Sequence, residues 1–184
     1  VVARYAAMTV TNLSTEGQNQ VLIAQLGALE PLVELARHQG TEAARYAGMA
    51  LANLAAHRQN RAPVVIKGGL IPFCLMARAK ALETQRAAAL ALYNVSCASA
   101  NHVPMVKAEC VAAIAILGKV ADLECKRYAI MSLANLAANA ETRSSATRSG
   151  GLHTGVALIR DEDTDCRRYA AIALCNMANN PASQ

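Results

Sequence analysis

The stretch GQNQVLIAQLGALEPLVELARHQGTEAARYAGMALANLA, residues 17–55, decides the fold. Gln18 to Gln25 has the spacing of a short amphipathic helix, and Gly27 breaks it. Ala28 to Arg37 is predicted as a second helix, with Leu29, Leu32, Val33 and Leu35 forming its apolar face. Gln39-Gly40-Thr41 makes the next turn. Glu42 to Ala56 is then the longest helix, rich in alanine.

The same three-helix phrase returns as QNRAPVVIKGGLIPFCLMARAKALETQRAAALALYNVS, residues 59–96. Arg4, Arg45, Arg86, Arg127 and Arg168 stand at one interval of 41 residues, and Asn12, Asn53, Asn94, Asn135 and Asn176 follow eight positions later. A fixed period between about 20 and 50 residues marks an array in which each unit stacks only on its neighbours. The expected organisation is one elongated all-α domain over residues 1–184: a leading third helix in 1–14, then units 15–56, 57–97, 98–138 and 139–184. The five long helices should cover 2–14, 42–56, 83–97, 124–138 and 163–179, stacked in parallel. Because the chain starts at Val1, not Met, inside a helical pattern, it reads as a fragment of a longer array.

Punctuation agrees with these helices. Gly27, Gly68-Gly69 and Gly150-Gly151 mark the break between first and second helices, where positive φ ends a helix sharply. Glu109 holds that place in the third unit, so its turn should be built differently. Pro31, Pro72, Pro63 and Pro104 fall in first turns, where no N–H is needed for the helix.

Composition narrows function. Hydrophobic residues make up 54%, with no Trp and one Phe, so the core must come from small aliphatic side chains. The net charge is +5 and the pI about 9.0, which favours acidic partners. No Lys/Arg run exceeds two residues, and aromatic residues for base stacking are few, so nucleic acid is a weak candidate. The longest uncharged stretch, Ala87 to Val106, contains Asn94, Asn101 and Pro104 and is no membrane span. The six cysteines show no CxxC and no zinc spacing. Cys125 and Cys166, one period apart, would sit roughly 8–10 Å from each other on stacked helices, too far for a disulfide. They read as reduced thiols of a cytoplasmic or nuclear protein. No metal, cofactor or catalytic constellation is expected. His38, His57, His102 and His153 read as surface or turn residues, and Asp161-Glu162-Asp163 as a solvated loop.

The third helices carry the candidate site. With the asparagine as zero and 100° per residue, position −2 (Val10, Leu51, Leu92, Leu133, Leu174) and position +1 (Leu13, Leu54, Val95, Leu136, Met177) point into the core. The opposite face presents the arginine at −8, Tyr5, Tyr46, Tyr128 and Tyr169 at −7 (Ala87 in one unit), and Met8, Met49, Leu90, Met131 or Ile172 at −4. This is a repeated, ordered strip. Arginine near a helix N-terminus opposes the helix dipole, so propensity alone would not select it repeatedly. Glu42, Glu83, Glu124 and Asp165 lie three residues before their arginines. Two readings follow: intrahelical ion pairs, or arginines free for acidic ligands.

Three helices per 41 residues with a short first helix resemble the armadillo repeat, along the whole chain. The resemblance implies a right-handed α-solenoid with third helices lining a concave groove. It also implies that Asn12, Asn53, Asn94, Asn135 and Asn176 clamp the backbone of an extended peptide, as one side-chain amide both donates and accepts. The alternative is that they bond backbone at neighbouring helix ends. Importin-α-type grooves carry tryptophan at −4 and acids near −7; this chain has Met, Leu or Ile and the Arg-Tyr pairs, and so looks closer to β-catenin-type proteins or vacuolar adaptors. The expected role is a scaffold for an extended, acidic protein segment. A spacer in a larger array is the alternative, and nucleic-acid binding is weaker still. Exposed ends such as Val1-Val2 and Ile172 also suggest end-to-end self-association.

Overall fold

The computed structural model describes residues 1–38 and 40–179. Among these the chain is helical throughout, without a strand. A leading helix α1 (Val2–Leu13) is followed by four units. Their first helices are α2 (Gly17–Gln25), α5 (Arg61–Ile66), α8 (His102–Lys107) and α11 (Ala140–Ala146). Their second helices are α3 (Leu29–Arg37), α6 (Leu70–Met76), α9 (Cys110–Leu117) and α12 (Leu152–Leu158). Their third helices are α4 (Glu42–Ala56), α7 (Leu82–Ser96), α10 (Leu123–Ala138) and α13 (Thr164–Ala178).

The spine runs α1–α4–α7–α10–α13, each packed on the next. Side-chain bonds fix their direction. Arg4, near the start of α1, meets Glu42 at the start of α4, while Asn53, near the end of α4, meets Thr11 and Ser14 at the end of α1. Starts pair with starts and ends with ends, so the helices are parallel. The residues at −2 and +1 are fully buried in the inner units: Leu51, Leu54, Leu92, Val95, Leu133 and Leu136. Each contributes roughly 1.5–3 kcal/mol of burial. Leu13, expected in the core, is half exposed, because no described element packs on that side of α1. Gly48 shows why small residues stand at −6 and −5: a Cβ there would lie 2.4 Å from the sulfur of Met76.

The break between first and second helices is left-handed in all four units. Gly27, Gly68 and Gly150 have φ of 85°, 93° and 103°, and Glu109 has φ of 56°. The third turn is therefore not built differently, as the missing glycine had suggested. The stacked geometry imposes the same bend, and Glu109 bears the steric penalty of a Cβ in that region. Its amide still bonds back to Val106 O, as Gly68 bonds to Val65 O.

A second period holds the units together. Asn19, Asn60, Asn101 and Thr142 are also 41 residues apart, and each donates to the carbonyl six residues earlier: Leu13, Leu54, Val95 and Leu136. These are carbonyls that the ends of the third helices leave without intrahelical partners. Asn60 and Asn101 also reach Gln20 O and Arg61 O of the preceding first helix. His102, expected at the surface, is buried with Nε2 2.7 Å from Ser96 O. It occupies the place where Gln20 and Arg143 bond the third-helix end in their own units.

Candidate functional site

The strip opposite the core is half-buried, not fully exposed. Met49, Leu90, Met131, Tyr46, Tyr128 and Tyr169 are all partly covered, whereas Tyr5 is exposed. Arginine and tyrosine stack in three rungs, with the Arg4, Arg45 and Arg168 guanidinium carbons 4.7, 4.4 and 5.5 Å from the Tyr5, Tyr46 and Tyr169 ring centres. Ala87 leaves its rung without a ring of its own, and Tyr93 stacks on Tyr128 at 5.5 Å.

The acids pair across units, not within helices. Arg4 meets Glu42 at 2.8 Å and Arg45 meets Glu83 at 3.5 Å. Arg86 takes Asp122 at 2.6 and 3.0 Å, with Glu124 at 3.4 Å; Arg127 takes Asp163 at 2.5 and 3.0 Å, with Asp165 at 3.6 Å. The intrahelical pairing suggested by the i, i+3 spacing is replaced because parallel stacking sets each arginine beside the next helix's first turn. There the acid also sits on the favourable end of the helix dipole.

Asp122 and Asp163 act twice. Each is the N-cap of its helix, accepting from Cys125 N at 3.0 Å or Cys166 N at 2.9 Å; the second oxygen of Asp122 holds Arg86, and both oxygens of Asp163 hold Arg127. The Arg86 guanidinium, and then the Cys125 amide, hold the Asp122 carboxyl down at about 2. Asp163 is lowered by Arg127 in the same way. Burial first, then the neighbouring carboxylate, pushes the Cys125 and Cys166 thiols up to about 12. The acidic turn is thus no solvated loop: Asp161 is bound by Lys126 at 2.7 Å and Asp163 by Arg127.

The asparagine ladder is anchored from behind. Asn53 Nδ2 donates to Thr11 O and Ser14 Oγ, Asn135 Nδ2 to Ser96 Oγ at 3.0 Å, and Asn176 Nδ2 to Ala134 O at 3.2 Å. Asn12 is exposed. Asn94 differs: it is buried, and its amide nitrogen has no partner among the described residues. Ser14 and Ser96 alternate with Ala55 and Ala137 along the period, and Ala55 stands where Asn94 would find a hydroxyl. Among the described residues, no donor reaches the side-chain oxygens of these five asparagines. No group of three metal-ligating side chains occurs among those residues, and no single helix is long and apolar enough to cross a membrane.

No family model matches this sequence, and no curated protein matches it. Solved structures do. An engineered protein superposes with a TM-score of 0.86 at 28% identity, over 98% of this chain and 45% of its own. A designed armadillo-repeat protein in complex with the peptide (KR)4 gives 0.80 at 21% identity, over 95% and 74%. An armadillo-repeats-only protein from Plasmodium falciparum gives 0.81 at 13% identity, over 95% and 79%. The chain has the armadillo-repeat fold, an all-α solenoid of three-helix units. Superposition preserves hand, so it shares the right-handed superhelix of that fold.

Proposed function

We propose that this chain is a protein-interaction scaffold that binds an extended segment along the third-helix strip. The observation that carries the reading is the repeated asparagine. On three rungs its Nδ2 is tied to the preceding helix, which leaves the amide oxygen oriented and, among the described residues, without a donor. A side-chain oxygen held in this way accepts a ligand N–H at little ordering cost. The designed neighbour that holds a peptide supports the same use of the fold.

Acid preference in the ligand is concentrated, not uniform. Arg86 and Arg127 are each held by two carboxylates, whereas Arg45 has one at 3.5 Å. The half-buried Met49, Leu90 and Met131 give an adaptable apolar floor between the polar rungs. Rungs about 10 Å apart and a ligand rising about 3.3 Å per residue call for roughly 12 residues across five rungs.

The test is a fluorescence-polarisation titration of acidic and basic extended peptides against wild type and the Asn53→Ala, Asn135→Ala double variant. At about 1 kcal/mol per hydrogen bond, the double variant should bind roughly ten- to a hundredfold more weakly while circular dichroism stays helical. Unchanged affinity in a folded double variant refutes the clamp. Tighter binding of the basic peptide refutes the acid preference.

A further inference from the structure

At the N-cap position of the third helices, residues 81, 122 and 163 are one period apart, and all three have extended backbone with ψ of 121°, 130° and 131°. Two of them are aspartates that cap their own helix and grip the arginine of the unit before. The third is Ala81. Helix α7 consequently has no side-chain cap, and α4 escapes the same lack only because Thr41 caps it one residue later in the period.

Three observations mark a vacancy at Ala81. A solvent-open recess of about 480 Å³ lies there, lined by Thr41, Arg45, Arg78, Lys80, Ala81 and Thr84. Arg45 occupies the place of Arg86 and Arg127, yet among the described residues its only carboxylate is Glu83 at 3.5 Å. Thr84, the third residue of α7, is 5% exposed, and its hydroxyl has no hydrogen-bond partner among the described residues. It stands where Cys125 and Cys166 receive the capping carboxylate. Glu42 also lines the recess, but Arg4 neutralises it at 2.8 Å.

We propose that this recess is a carboxylate site, filled by an acidic side chain of the extended segment that the strip binds; in that respect it rests on the scaffold reading above. The incoming carboxylate takes the part that Asp122 and Asp163 play from within the chain. One oxygen accepts from the first-turn amides of Leu82 and Glu83 and from the Thr84 hydroxyl, the Thr84 amide being already bonded to Ala81 O at 3.1 Å, and the other meets the Arg45 guanidinium. Helix dipole and guanidinium act in the same sense. The site fixes the register of the ligand, since among the rungs of Arg45, Arg86 and Arg127 only that of Arg45 faces an N-cap position without a carboxylate.

The test compares a peptide carrying one glutamate with its glutamine counterpart, scanned along the peptide, on wild type, Ala81→Asp and Thr84→Val. Amide NMR shifts of Leu82, Glu83 and Thr84 under sodium acetate give a second readout. Wild type should bind the best glutamate peptide roughly tenfold more tightly than the glutamine form. Ala81→Asp supplies its own carboxylate, so the advantage should vanish while the glutamine peptide binds as before. Thr84→Val should reduce the advantage and leave the glutamine peptide unaffected. An advantage that survives Ala81→Asp overturns the proposal. Equal binding of both peptides to wild type overturns it too, and leaves the scaffold reading standing. If neither peptide binds but acetate shifts those amides in wild type and not in Ala81→Asp, the carboxylate site stands and the bound segment is removed as its source.

Discussion

Asp122 joins two units through one carboxylate, and its removal should be felt in both. Its Oδ1 caps α10 at Cys125 N, and its Oδ2 receives Nε and Nη2 of Arg86 at 3.0 and 2.6 Å. Loss of an N-cap costs about 1 kcal/mol. The aspartate side chain is only 7% exposed, so its bonds to the guanidinium are protected from water on one side; Arg86 is 48% exposed, which reduces their worth below that of a buried pair. Asp122→Ala should therefore cost about 2 kcal/mol in urea unfolding followed by circular dichroism. Asp122→Asn keeps an oxygen for the cap and loses the charge. The folded carboxyl titrates at about 2, below its reference value of 3.8. Its ionic contribution is then complete above the reference value and is lost as pH falls through the folded one. The gap between wild type and Asp122→Asn should accordingly narrow as pH falls from about 5 to about 2. An alanine variant costing under about 0.5 kcal/mol, outside the usual range for a cap, refutes the double role. A gap that stays constant across that pH interval refutes the ionic part alone.

Other positions test the remaining links. Glu109→Gly relieves a left-handed Cβ at an exposed turn and should raise stability by about 0.5–1 kcal/mol, the steric gain exceeding the extra freedom of the unfolded chain; thermal melting reads it. Ala55→Ser should give the orphaned Asn94 amide a partner, as Ser14 does for Asn53, and add about 0.5–1 kcal/mol in urea unfolding, whereas Ser96→Ala should cost about 1–2 kcal/mol. Native thiol titration should label Cys97 and Cys175 quickly. The buried Cys125 and Cys166, with thiols pushed up to about 12, should react only on unfolding, together with the buried Cys74 and Cys110, whose sulfurs lie 3.5 Å apart.

The period made the fold legible because local spacing and stacking say the same thing. The third helices expected at 42–56 and 83–97 are found at 42–56 and 82–96, and the leucines at −2 and +1 fill the inner core. Partners across the stack were another matter. Glu42 stands three residues from Arg45 in sequence, and nothing in that spacing reveals that parallel packing brings it to Arg4 instead. The left-handed Glu109 was hidden for a related reason: its neighbours, not its own preference, impose the bend.

The two asparagine series show how far a period can be taken as a sign of binding. Asn19, Asn60 and Asn101 repeat as regularly as Asn12, Asn53 and Asn94, yet their amides are consumed in closing third-helix ends and joining first helices. Regularity alone therefore identifies a residue the stack needs, not one a ligand needs. What separates the series is burial, since donors are used in both: Asn60 and Asn101 are buried, while Asn53 and Asn135 are half-buried, where a ligand can reach the amide. The same reasoning gives Ala81 its weight. Where a carboxylate recurs at 122 and 163 and alanine stands at 81, the groups built around that carboxylate remain, and Arg45, the α7 N-terminus and the Thr84 hydroxyl are those groups.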